Sequence, residues 1–89
     1  MDVHFFAAAR AAAGTAQTTV QHHQLSSPSL GALIDVLGRD FEGKNTGAMG
    51  LADVLTRCSF LVDGVSTTDL TTSLENAHRV DVLPPFAGG

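Results

Sequence analysis

Val80-Asp81-Val82-Leu83-Pro84-Pro85-Phe86-Ala87-Gly88-Gly89 joins two kinds of chain that cannot continue into one another. The first four residues are β-formers with alternating faces, Val80 and Val82 on one side, Asp81 and Leu83 on the other. Two prolines follow, which fix φ and carry no N–H, so a strand ladder cannot run through them. Beyond them stand one aromatic and three residues with almost no side chain. Six extended residues reach roughly 20 Å, and Gly88 and Gly89 carry no Cβ, so a narrow channel admits the end of the chain. The stretch reads as a strand that releases a slender tail, suited to deliver its terminal carboxylate into another protein's active site.

This tail resembles that of the small subunit of molybdopterin synthase, in the MoaD/ThiS family of ubiquitin-like sulfur carriers. That family ends in an apolar strand, Pro-Pro, one or two variable residues and Gly-Gly. The resemblance implies an α+β, β-grasp domain over residues 1–83, with a mixed sheet and one main helix packed on one face. Residues 84–89 are then a flexible tail. In that fold the first and last strands lie side by side at the sheet centre.

The rest of the chain can be read against this expectation. Asp2-Val3-His4-Phe5-Phe6 has the pattern of a strand, with Val3 and Phe5 on one face and His4 and Phe6 on the other. Ala7 to Ala13 is alanine-rich around Arg10 and would be helical by propensity alone. Phe6-Ala7, Arg10 and Gly14 match the family's first strand and loop, which implies a strand over residues 3–8 and a helical turn over 9–13, ended by Gly14. Residues 16–23, rich in Thr and Val, predict a second strand, and residues 24–27 a turn. Ser27-Pro28-Ser29 is a helix start, with either serine as the cap. Leu30, Leu33, Ile34 and Leu37 then form one apolar stripe, with Phe41 in phase and Gly38 near the helix end. Residues 42–50 read as a loop and 51–57 as a short helix. Residues 58–62 predict a third strand, Asp63-Gly64 a hairpin turn, and 65–68 a short edge strand. An irregular segment follows, with Leu74 as a plug under the sheet, and then a last strand over residues 79–83.

If the alternating residues Val3, Phe5, Val80 and Val82 face the helix, then Phe6, Leu61 and Leu83 share the uncovered face. Apolar residues gathered on an open face mark a partner site. Phe86 extends it as an aromatic anchor, a residue class favoured at interface centres.

Composition narrows the function classes. The chain has 89 residues, 44% hydrophobic and 16% charged, with a formal net charge of −4. That suits one small globular domain and offers no basic cluster for nucleic acid. No apolar run is long enough for a membrane span and no secretion signal is legible, so a cytoplasmic protein is expected. The single cysteine, Cys58, forms no internal disulfide and reads as a small core hydrophobe. His22 and His23, adjacent on a strand, would point to opposite faces and could not share an ion; no zinc spacing and no phosphate loop occur. No metal and no bound cofactor are expected, and no self-contained active site.

The resemblance supplies the chemistry such a carrier would serve. A ubiquitin-activating-type adenylyltransferase uses ATP and Mg²⁺ to convert the Gly89 carboxylate to an acyl-adenylate, and a sulfur donor protein turns this into a thiocarboxylate. Gly89 is the reactive group, Gly88 its slim neighbour, Ala87 and Phe86 channel and anchor residues. Phe6, Leu61, Leu83, Pro84 and Pro85 form the interface with the large subunit, in a heterotetramer. The alternatives are a sulfur carrier for thiamine or cysteine synthesis or tRNA thiolation, a ubiquitin-like protein modifier, and a plain binding module. Thiamine carriers usually lack Pro-Pro. Lys44 is the single lysine, which leaves few attachment points for self-linked chains. Glu75-Asn76-Ala77-His78 departs from the family's usual turn before the last strand, and the Thr-rich residues 67–72 depart from its apolar pattern there.

Overall fold

The computed structural model of the chain describes residues 1–44 and 49–85. Its five strands are β1 (Asp2–Phe5), β2 (Gln17–Thr19), β3 (Ser59–Val62), β4 (Val65–Thr67) and β5 (Arg79–Leu83). Three helices accompany them: α1 (Ala7–Ala13), α2 (Leu30–Asp40) and α3 (Leu51–Leu55). One mixed sheet runs in the order β2-β1-β5-β3-β4. β1 and β5 are parallel neighbours at its centre, and the other pairs are antiparallel. This is the expected β-grasp arrangement, with first and last strands side by side.

Register explains why the core closes. Val3 pairs with Val80, Phe5 with Val82, and Phe60 with Val82 from the other side. All five are buried on one face, where side chains of period two must meet a covering layer. α2 supplies it through Leu30, Leu33, Val36 and Leu37, which join the strand residues in one core cluster. Phe41, just past the helix, sets its ring edge-on to Phe5 at a centroid distance of 5.5 Å.

Ser29, not Ser27, caps α2, its hydroxyl accepting from the Ala32 N–H at 3.2 Å. A helix leaves its first four N–H groups without intrahelical partners. Here Leu30 N–H donates to the Thr72 carbonyl and Gly31 N–H to the Leu70 carbonyl, both at 2.9 Å. The irregular segment before β5 is thereby tied to the helix start. A Cβ at Gly31 would lie 3.3 Å from the Leu70 oxygen, so this close approach favours glycine. Leu74 plugs the sheet from below with no exposed surface, as expected.

Asp63-Gly64 is a hairpin turn with positive φ at both residues, 48° and 86°, the signature of a type I′ connection. The Asp63 carboxylate accepts from the His78 and Arg79 N–H groups, each at 2.9 Å. It thus joins the β3–β4 turn to the start of β5. These bonds favour the charged form and hold its carboxyl below the usual range.

Several expectations are corrected. β1 stops at Phe5, and the chain turns through Ala7, φ 48°, into α1. Alanine's helix propensity prevails two residues earlier than the resemblance implied. Gly14, φ 73°, ends α1 as expected, its N–H returning to the Arg10 carbonyl at 2.9 Å. β2 spans only Gln17–Thr19. His22 and His23 lie in a short 3₁₀ turn, His22–Gln24, rather than on opposite faces of a strand. There Gln24 Oε1 accepts from the Gln21 N–H at 2.7 Å, and His22 Nε2 lies 3.0 Å from the Leu74 carbonyl, which accepts its proton. Side-chain bonds of this kind offer the backbone an alternative to the ladder. α2 runs through Gly38, where a Cβ would lie 3.3 Å from that of Ala52 and force α3 away. α2 remains the main helix, with α1 and α3 as shorter additions.

Two outcomes test this account. Leu74→Ala is expected to lower unfolding free energy by about 2–5 kcal/mol, the range for truncating a buried leucine, read by urea denaturation. Asp63 has a folded pKa below its unfolded one, so its contribution is present above the unfolded value and is lost as pH falls through the lowered folded value. Asp63→Ala should therefore lower the melting temperature at pH 7 and leave a shallower loss of stability below about pH 4, measured by melts across an acid series.

Candidate tail root and docking face

β5 is the pivot between core and tail. Its last residue, Leu83, pairs with Ser59 of β3, while Phe6 N–H donates to the Val82 carbonyl at 3.3 Å on the other side. Pro84 and Pro85 belong to no strand, since neither has an N–H to extend the ladder. The central strand therefore ends with neighbours on both sides, and Pro84 leaves the sheet half-buried and Pro85 exposed. Phe86, Ala87, Gly88 and Gly89 lie outside the described residues.

Phe6 is 41% exposed, and Leu61 and Leu83 are half-buried. Alternation places Leu61 and Leu83 opposite the buried Phe60 and Val82, on the sheet face that α2 does not cover. That face is more mixed than the three apolar residues suggested. His4, Asp81 and Leu61 stand in one row across β1, β5 and β3. Asp81 Oδ1 also pairs with Arg79 Nε at 2.7 Å. A charged strip thus runs beside the apolar residues at the tail end of the sheet.

Beneath the prolines lies a pocket of about 170 Å³, lined by Ala8, Met49, Val54, Arg57, Pro84 and Pro85. A wider cavity of about 510 Å³ adjoins α2, with Ile34, Leu55, Cys58, Phe60 and Leu70 among its walls. Sequence reasoning found neither. Their residues come from segments far apart in the chain, and no spacing rule connects Ala8 with Arg57 or Pro85.

Cys58 is 8% exposed, just before β3, and its thiol donates to the Val54 carbonyl at 3.2 Å. Burial pushes the thiol up to about 11, so at pH 7 only about one molecule in ten thousand carries the thiolate, the reactive form. This is the core cysteine the sequence suggested. Among the described residues no group of three or more His, Cys, Asp or Glu side chains could hold a metal ion. No described helix is long and apolar enough to cross a membrane.

The mixed sheet, its parallel central pair and the proline-ended central strand define a β-grasp protein of the ubiquitin-like kind. The ThiS family model matches residues 3–89, and the chain belongs to the ThiS family, whose members are small sulfur-carrier proteins that work with partner enzymes. No curated protein matches the chain.

The thiol makes a direct test. Reaction of Cys58 with an aromatic disulfide reagent at pH 7 should be slow in the folded protein and accelerate at least about a hundredfold in denaturant, where the thiol returns to its ordinary value, followed by absorbance.

Proposed function

We propose that this ThiS-family carrier is the sulfur-donating small subunit of a molybdopterin synthase. The observation that carries the reading is the end of β5. A strand held on both sides at the sheet centre gives way to Pro84-Pro85 and then to Phe86-Ala87-Gly88-Gly89. Such a root fixes where the ladder stops, since neither proline carries a donor to extend it. Pro-Pro at this place favours the molybdopterin pathway over thiamine synthesis, the second reading.

In this reading Gly89 carries the chemistry. Its carboxylate oxygen attacks the α-phosphorus of ATP on a ubiquitin-activating-type enzyme, expelling pyrophosphate and forming the acyl-adenylate. The terminal sulfur of a donor persulfide then attacks the acyl carbon and expels AMP, giving an acyl disulfide; a second thiol attacks the donor's sulfur, which forms a disulfide with it and releases the thiocarboxylate. Its sulfur attacks a carbon of a cyclic pyranopterin phosphate held by the large subunit, water then cleaves the acyl–sulfur bond and returns the Gly89 carboxylate, and two carriers in turn build one dithiolene. Gly88 and Ala87 allow passage through a narrow channel, and Phe86 anchors the tail. Phe6, Leu61, Leu83, Pro84 and Pro85 meet the large subunit, and their low exposure to water in the complex would supply the apolar part of the interface. ATP and Mg²⁺ belong to the activating enzyme, acid–base and phosphate-binding groups to the large subunit.

Incubation with the cognate activating enzyme, ATP and a sulfur source is expected to replace one terminal oxygen by sulfur, read by intact-mass spectrometry; an unchanged mass refutes the carrier chemistry. The thiocarboxylate form should then convert the pyranopterin precursor, and transfer to a thiazole precursor instead would assign the thiamine reading. Deleting Gly89 should abolish transfer and leave the melting temperature nearly unchanged. Leu83→Asp or Phe6→Asp should weaken large-subunit binding about tenfold or more, the scale of an interface hot spot, measured by titration calorimetry.

A further inference from the structure

The cavity of about 510 Å³ beside α2 lies over the start of β3, on the side of the sheet that carries the core. Its floor is Leu55, Cys58 and Phe60, all buried. Half-buried Ile34 and Leu70, which is 55% exposed, stand at its rim. The Cys58 thiol spends its proton on the Val54 carbonyl, so the floor offers a guest only apolar contact. Size and lining are those of a site for a small organic molecule, since such sites span about 300–1,000 Å³ and are mostly apolar with a few polar groups.

The strap that carries Leu70 is held too firmly to collapse into this space. The Leu70 carbonyl accepts from the Gly31 N–H and the Thr72 carbonyl from the Leu30 N–H, both at 2.9 Å. Within the strap, Thr72 N–H donates to the Asp69 carbonyl at 3.0 Å, and Asp69 Oδ1 accepts from the Thr71 N–H and hydroxyl at 2.9 and 2.7 Å. Leu70 is thereby pinned to the start of α2 with most of its side chain in water. A guest that covered it would gain about 25 cal/mol for each Å² of apolar surface removed from water.

The polar groups lie at the mouth. Thr56, Arg57 and Thr68 are exposed there, and Arg57 is the charged member of the lining among the described residues. Arg10 and Lys44 also take part in no ion pair among the described residues; what sets Arg57 apart is its place at the edge of an apolar cavity. A guanidinium there complements a carboxylate, which it binds through charge-assisted, often bidentate hydrogen bonds.

We propose that this cavity is a binding site for a free, single-chain amphipathic carboxylate. The apolar body lies over Leu55 and Phe60 between Ile34 and Leu70, and the carboxylate meets Arg57. The site uses neither the open sheet face nor Gly89, so it stands apart from the carrier reading.

The test is a titration of the full-length protein with decanoate, below the concentration at which decanoate self-associates, followed by methyl NMR. Saturable shifts are expected at Ile34, Leu55 and Leu70, while Val65, exposed but outside the cavity, stays in place. Decyltrimethylammonium, with the same chain and the opposite charge, is expected to bind at least about threefold more weakly, the scale of an exposed ion pair. The formal net charge of −4 favours the cation over the whole surface, so a preference for the anion reports the local guanidinium. Arg57→Glu should abolish or reverse that preference, and Leu70→Asp should weaken both amphiphiles. Both side chains are exposed, so an unchanged melting temperature is expected to confirm that the variants fold. Shifts that do not saturate, or that spread to Val65 equally, overturn the proposal. Equal affinity for the two amphiphiles, or a preference that survives Arg57→Glu, overturns it as well.

Discussion

The parallel pairing of β1 with β5 is the constraint on which the rest of this molecule depends. It brings Val3 and Phe5, from the first residues of the chain, beside Val80 and Val82. Each of these side chains is buried, and full burial of an aliphatic or aromatic side chain is worth about 1.5–3 kcal/mol. Because the pairing spans nearly the whole sequence, everything between the two strands must close over them as one unit. α2 covers one face, β3 and β4 extend the sheet beyond β5, and β2 extends it beyond β1.

The same pairing decides where a tail can begin. A strand at a sheet edge frays, whereas β5 is paired with β3 up to Leu83 and hydrogen-bonded on its other side up to Val82. The prolines then end the ladder abruptly, for want of donors. An anchored strand with a sharp stop gives the tail a defined origin beside Phe6, Leu83 and the pocket containing Arg57.

Loops that look unstructured in the sequence turn out to be ties. The segment before β5 caps α2 through the Leu70 and Thr72 carbonyls and buries Leu74. Asp63 reaches across from the hairpin turn to the first N–H groups of β5. Both ties bear on the orientation of β5 against α2, and hence on the direction in which the tail leaves.

Much of this was legible from one dimension. Alternation in Val80-Asp81-Val82-Leu83, the i, i+3, i+4, i+7 stripe from Leu30, the Asp63-Gly64 turn and the Gly14 cap are local signals, set by side-chain period and backbone sterics. They determine strands, helix and turns whatever the surroundings. Where two local tendencies competed, only the folded chain decided: Ala7 and Ala8 went to helix, and the residues after Thr19 left the ladder for a 3₁₀ turn held by Gln24 and His22. The choice of Ser29 as cap depended on which serine faced the Ala32 N–H. The mixed polar and apolar character of the open face and the pocket joining Ala8, Arg57 and Pro85 were decided by tertiary structure alone. Such features are made by side chains remote in sequence meeting across strands and helices, and no period within the chain encodes which remote residue a side chain will meet.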